Sequence, residues 1–284
     1  MTGNLCSPLC DEDKVQYVGC TNYQKGKKII IARWDGTPVV LKAKHERPWG
    51  AEILEKPGTY FQSCLPRVDE YTKRIRELIY SKYNTRYEKS DRSLISLLWT
   101  GKESETEIIS ANASTHGAIM RSLWSLIQQN EYLFLRYFSD KNLVPLIRGT
   151  CGHVYAVEST PPTSILHPGA MHIARVSRDS WCDRARVAIG LLDLIAETES
   201  SFHEYLHLCD VKGKNFGISR RGDVKAIDTD MIYFKSKLVK LLSEKPHCEN
   251  DNDCDYFSCS GKCNSITNRC TVDVTNNNLQ VTCS

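Results

Sequence analysis

Charge of one sign is scarce in this chain of 284 residues, where 37 Lys and Arg face 34 Asp and Glu for a net charge of +3. So small an excess gives no electrostatic case for nucleic acid or for an anionic membrane surface, both of which need a strongly one-signed face. Long hydrophobic runs are also missing. No apolar stretch approaches the roughly 18 residues of a spanning helix, and the start, Met-Thr-Gly-Asn-Leu-Cys, carries no basic-then-apolar leader. Internal repeats and low-complexity tracts are absent, and the cysteine-rich tail contains no Cys-x-x-Cys knuckle of the kind that wraps a tetrahedral zinc ion.

What is present is an ordinary globular composition, 41% hydrophobic and 25% charged, long enough for one large domain or two lobes that each bury a core. Cysteine is the exception, at 13 residues. They cluster as Cys6, Cys10 and Cys20 near the start and Cys248, Cys254, Cys259, Cys263, Cys270 and Cys283 at the end. Without knuckles for zinc, disulfides are the expectation, with the pairing open and an odd thiol left over. Asn112-Ala113-Ser114 is a glycosylation sequon, and oxidised cysteines with a sequon fit a lumenal or extracellular chain. The missing leader then implies an anchor upstream of this chain or a different compartment.

Patterning along the chain alternates strand and helix signals. Ile29 to Ala32 and Val39 to Leu41 read as strands joined by an Asp35-Gly36 hairpin turn, with Lys42 closing the second. Residues 49 to about 116 read as an insertion with helices over Val68 to Tyr83 and near Leu94 to Leu98. One continuous helix is expected from Gly117 to Phe138, with Ile119, Leu123, Leu126, Ile127, Tyr132 and Leu133 as its apolar stripe and Glu131 beside it. Strand-like runs follow at Leu143 to Arg148 and Val154 to Val157, the second ending at Glu158. The proline-bearing stretch Ser159 to His172 reads as a connection, and a long helix is expected from Ser180 to about His207.

The chemistry-bearing residues lie beyond that helix. Asp210 and Asn215 bracket Asp-Val-Lys-Gly-Lys-Asn, and Asp228 follows after a predicted hairpin, Phe216-Gly217-Ile218, Arg220-Arg221-Gly222, Val224 to Ile227. Phosphoryl transfer needs such a set: a carboxylate to accept a hydroxyl proton (Asp210), an amide oxygen and a second carboxylate for Mg²⁺ or Mn²⁺ (Asn215 and Asp228), and a cation for the transferred group (Lys212). Upstream, Lys42 fits the strand lysine that reaches nucleotide phosphates and Glu131 the helix glutamate that holds it, with Glu158 a further candidate on the nucleotide side. A rival motif is His203-Glu204-Tyr205-Leu206-His207, which on a helix would put two imidazoles on one face for zinc. It leaves Lys42, Glu131 and the spacing from Asp210 to Asp228 unexplained. On the kinase reading these histidines sit at the end of the long helix in a packing role.

In these residues the chain resembles the divergent protein kinase domain 1 family of cysteine-rich, endoplasmic-reticulum kinase-like proteins. The resemblance runs through Cys6-Ser-Pro-Leu-Cys10, Ala32-Arg-Trp-Asp-Gly36, Val39-Val-Leu-Lys-Ala43 and Trp124-Ser-Leu-Ile-Gln-Gln-Asn-Glu-Tyr132. It continues in Cys151-Gly-His-Val-Tyr-Ala-Val-Glu158, Cys209-Asp-Val-Lys-Gly-Lys-Asn-Phe-Gly217 and Asn276-Asn-Asn-Leu-Gln-Val281. It implies an α+β, bilobal protein-kinase-like fold: a Cys-containing segment 1–25, an N-lobe 26–158 with the helical insertion, a reduced C-lobe 159–247 and a Cys-rich tail 248–284. It further implies ATP with Mg²⁺ or Mn²⁺, a protein or glycan substrate in the secretory pathway, an endoplasmic-reticulum location and a membrane anchor upstream. A pseudokinase that binds nucleotide or a partner without catalysis is the alternative.

Two departures stand out. Relatives carry a calcium-binding EF-hand before the glutamate helix, whereas Thr100 to Gly117 lacks the Asp-x-Asp-x-Asp-Gly spacing that supplies its oxygens. Ordinary kinases have His-Arg before the catalytic aspartate and Phe-Gly after the metal aspartate. Here those places hold Leu208-Cys209 and Thr229-Asp230, and the phosphate loop keeps only Gly19 and Gly26.

Overall fold

The computed structural model describes residues 2–22, 26–44, 68–100, 113–161, 178–245, 247–271 and 273–283. Outside them lie Asn112 of the sequon, the first part of the expected insertion, most of the stretch compared with an EF-hand and most of the proline-bearing connection. The chain divides into two compact units. The first comprises Met1–Leu78, Tyr87–Ser139 and Pro145–Ser159, and the second Ile79–Arg86, Asp140–Val144 and Thr160–Ser284.

The first unit opens with a short helix, α1 (Cys6–Cys10), and strand β1 (Val15–Asn22), followed by β2 (Lys27–Trp34) and β3 (Thr37–Lys44). Asp35 and Gly36 both take positive φ, 47° and 72°. That is the primed turn whose twist suits a two-residue hairpin loop, and it sets the register Trp34 opposite Thr37. Helices α2 (Val68–Tyr83) and α3 (Asp91–Leu98) form where the apolar periodicity predicts them, and Ser90 caps α3 by accepting a hydrogen bond from the Ser93 N–H. Next come α4 (Ala113–Ile127), α5 (Asn130–Tyr137), β4 (Ile147–Cys151) and β5 (Val154–Glu158).

The five strands make one antiparallel sheet in the order β1-β2-β3-β5-β4. Its two faces follow from period-two alternation along β3. Val39 and Leu41 point to a core with Leu5, Ala32, Cys151 and Ala156, into which the disulfide Cys6–Cys151 ties α1. Lys42, one residue on, takes the opposite face beside its cross-strand partner Tyr155. There α5 packs, with the rings of Tyr132 and Tyr155 edge-to-face at 5.4 Å.

The expected single helix from Gly117 to Phe138 is two helices. The break falls at Gln129, whose backbone is extended (φ −82°, ψ 113°). Its buried amide donates to the His153 carbonyl at 2.7 Å, a contact with the turn between β4 and β5 that local periodicity does not encode.

In the second unit α6 (Arg178–Ser200) buries Val187, Leu191, Leu194 and Ile195. A Cβ at Gly190 would stand 2.7 Å from Val224, so this glycine permits the close approach of the strand pair below. The chain continues through β6 (Leu206–Leu208), β7 (Phe216–Ile218), β8 (Val224–Ala226) and β9 (Ile232–Phe234) to α7 (Lys235–Ser243). Strand β6 pairs with β9 and β7 with β8, both antiparallel. The tail forms a small ladder of β10 (Cys263–Asn264) with β11 (Arg269–Cys270) and closes with α8 (Asn278–Cys283). Disulfides Cys209–Cys259, Cys248–Cys263 and Cys254–Cys270 staple this part, while Cys10, Cys20 and Cys182 are free thiols.

The long helix therefore ends at Ser200, seven residues short of the expectation at His207. Leu206, His207 and Leu208 are all buried and lie opposite Phe234, Tyr233 and Ile232, so pairing with β9 makes this segment a strand rather than the end of the helix.

Candidate active site

In the first unit the charged centre stands on regular structure. Lys42 lies on β3, which is paired on both sides, and its Nζ reaches Glu131 Oε1 on α5 at 2.6 Å. Lys27, from the start of β2, donates to the other carboxylate oxygen. Glu131 is 1% exposed and Lys42 7%. Burial alone pushes the Glu131 pKa up; the two lysines and their hydrogen bonds outweigh it and hold the carboxyl below its ordinary value. Sequence reasoning missed Lys27. Its role depends on strand register, and no local motif marks it. Glu158 ends β5, where its carboxylate accepts a hydrogen bond from the Leu146 N–H at 3.1 Å and so secures the start of the neighbouring strand.

In the second unit the β7–β8 hairpin brings its two ends together. Phe216 lies opposite Ala226, and the Ile227 N–H donates to the Asn215 carbonyl at 2.8 Å, so Asn215 and Asp228 are adjacent although 13 residues apart. Asp210, Asn215 and Asp228 line one cleft over an apolar floor that includes Leu208, Phe216 and Ala226. The Asn215 amide nitrogen donates to the Asp210 carbonyl at 2.9 Å and to its carboxylate at 2.8 Å. Lys212 Nζ stands 2.6 Å from the other Asp210 oxygen.

This donor set suits a hard divalent cation. The Asn215 nitrogen is committed to Asp210, which leaves Oδ1 as the ligand atom, and Asp228 is an exposed carboxylate at the same cleft. In the place of the Phe of ordinary kinases, Thr229 is buried, with no hydrogen-bond partner for its hydroxyl among the described residues.

The rival zinc motif is not formed. His203 and His207 lie beyond the end of α6, His207 within β6, so the helical spacing that would aim both imidazoles at one ion does not exist. His203 instead contacts the Thr85 hydroxyl and packs on Phe234. Glu204, the would-be base, accepts from the Ser236 N–H and hydroxyl at the start of α7. His207 is buried against Tyr205, and desolvation, helped by the nearby Lys235 charge, lowers its pKa to about 4.

Cysteine pairing reaches the candidate base itself, since Cys209, one residue before Asp210, is bonded to Cys259 of the tail. Tail asparagines of the run Asn276 to Val281 also support this region. Asn278, 1% exposed, accepts from the Leu208 N–H at 2.9 Å and donates to the Leu206 carbonyl at 2.7 Å and the Thr198 hydroxyl at 2.8 Å. Among the described residues no helix is long and apolar enough to cross a membrane.

Two family models match the chain. Residues 123–284 match the protein-kinase domain of FAM69, and residues 1–99 match the N-terminal cysteine-rich endoplasmic-reticulum segment of FAM69.

Proposed function

The chain belongs to the FAM69 family, and we propose that its kinase domain transfers the γ-phosphate of ATP to a hydroxyl of a protein or glycan in the lumen of the secretory pathway. The observation that carries the proposal is the cleft where Asp210, Asn215 and Asp228 converge, with Lys212 on the Asp210 carboxylate. Asn215 and Asp228 would hold Mg²⁺ or Mn²⁺, which neutralises phosphate charge when bound. Asp210, oriented by the Asn215 amide, would accept the proton of the acceptor hydroxyl, and Lys212 would balance charge on the transferred group. Lys42, fixed by Glu131, would contact the α and β phosphates of the nucleotide. The N-terminal cysteine-rich match and the four disulfides among the described residues support an endoplasmic-reticulum setting.

One feature favours a second reading, a pseudokinase that binds nucleotide or a partner without turnover. After Asp228 the chain enters β9 at Ile232 and α7 at Lys235, so little length remains for an activation segment and peptide platform. Thermal shift with Mg-ATP followed by a γ-phosphate transfer assay separates the two. Transfer that Asp210→Ala abolishes while nucleotide binding persists supports the kinase. Nucleotide binding without transfer supports the pseudokinase, and transfer undiminished in Asp210→Ala removes Asp210 as the base.

A further inference from the structure

Asp210 is flanked on both sides by bonds to a single residue of the cysteine-rich tail. The Ser258 N–H donates to the Cys209 carbonyl at 2.8 Å, and the Ser258 hydroxyl oxygen accepts from the Val211 N–H at 3.3 Å. The next residue, Cys259, is disulfide-bonded to Cys209, so bonds from two consecutive tail residues converge on the same short stretch of loop. Ser258 is itself fastened from behind. Its carbonyl accepts from the Asn276 amide at 2.8 Å, while the Asn276 side-chain oxygen accepts from the Ser260 N–H at 2.9 Å.

The turn that presents Ser258 is strained. Tyr256 and Cys259 exchange both backbone hydrogen bonds, at 2.7 and 3.0 Å, leaving Phe257 and Ser258 as a two-residue loop. Phe257 has a φ of 55°, in the left-handed region, and its ring is 59% exposed. The first position of such a loop favours glycine when φ is positive there. An aromatic residue persists in that conformation only where its surroundings fix it. Here the Cys209–Cys259 bond and the Ser258 contacts hold the turn in place, and the ring, though largely exposed, meets Tyr256 edge-on.

We infer that Ser258 and the Cys209–Cys259 bridge are positioning residues for Asp210, which makes the cysteine-rich tail a working part of the catalytic loop. The role assigned to Asp210 rests on the function proposed above; the fastening of the loop does not. Without the Ser258 hydroxyl the Val211 N–H loses its acceptor, and the loop gains freedom next to the carboxylate that must meet the acceptor hydroxyl. Misplacement of a reacting group by about 1 Å costs on the order of 100-fold in rate, so partial loosening should lower turnover by roughly 10-fold.

The test uses the full chain, with Ser258→Ala and the hydroxyl-retaining Ser258→Thr. Amide hydrogen exchange at Val211, kcat and KM for Mg-ATP in the transfer assay, and the unfolding midpoint are measured for each. Faster Val211 exchange in Ser258→Ala is expected, with kcat down by roughly 10-fold, KM for Mg-ATP unchanged, and both effects reversed by Ser258→Thr. A lower kcat accompanied by general loss of protection across the unit marks plain destabilisation and overturns the inference. So does faster exchange with unchanged kcat. Unaltered Val211 exchange refutes the fastening itself. If the wild type transfers no phosphate, the kinase reading fails, and altered exchange at Val211 then marks a structural clamp without a catalytic role.

Discussion

In the first unit the charged centre rests on regular elements: Lys42 in the middle of a five-stranded sheet, Glu131 on a helix packed across it, and one disulfide at the far face. In the second, Asp210, Asn215 and Asp228 rest on loops next to strands of only three residues; the Cys209–Cys259 disulfide and asparagine side chains bonded to backbone tie this region to a tail that carries two further disulfides of its own. The contrast teaches where precision comes from in each. Long paired strands position a side chain through register. Strands too short to do so must be fixed by covalent staples and buried polar bonds.

The sharpest way to break the comparison is to remove a staple. Cys209→Ser with Cys259→Ser opens a loop spanning 50 residues, and chain entropy alone puts the cost at about 4 kcal/mol. Denaturant unfolding should show that loss in the second unit. A change below about 1 kcal/mol would mean the short strands hold themselves.

Next in size is Glu131→Ala, which leaves Lys42 and Lys27 without their shared carboxylate in the buried centre of the first unit. The expected destabilisation is about 3 kcal/mol. Because the folded-state pKa of Glu131 is depressed, its contribution is complete above the ordinary glutamate range and fades as pH falls through the folded value. Glu131→Gln should therefore flatten the acid limb of the stability curve, and an unchanged limb would contradict the ion-pair assignment.

Asn278→Ala probes the polar half of the contrast. It strips hydrogen-bond partners from the Leu208 N–H, the Leu206 carbonyl and the Thr198 hydroxyl. Unsatisfied buried groups of this kind should cost roughly 2 kcal/mol, and Asn278→Asp should not restore the lost donors. The smallest expected effect has the opposite sign. Phe257→Gly relieves the left-handed strain at φ 55°, and a gain of about 1 kcal/mol in unfolding free energy is expected. A loss instead would show that the exposed ring, which packs edge-on against Tyr256, stabilises the turn.

The same contrast decides what could be read from the sequence. The Asp35-Gly36 hairpin, Lys42, the helices from Val68 and Asp91, and the hairpin between Asn215 and Asp228 carry local signals, namely turn chemistry and clean periodicity. Strand β1 passed unread because Val15 to Asn22 mixes polar and apolar residues and includes Gly19; its stability comes from pairing with β2. The break at Gln129 depends on a bond to His153, 24 residues away. The helical reading of His203 to His207 failed because β6 is too short for any periodicity window, and its partner β9 lies beyond Asp210 and the β7–β8 hairpin. Lys27 and Ser258 were invisible for a related reason: each acts through a contact far along the chain.

The central claim is that Asn215 and Asp228 form a divalent-cation site beside Asp210. A crystal structure with Mn²⁺ and a non-hydrolysable ATP analogue tests it most directly. The account predicts anomalous density for manganese on Asn215 Oδ1 and the Asp228 carboxylate, lost in Asp228→Asn. Manganese bound elsewhere, or nucleotide bound with no ion on these two residues, would contradict it.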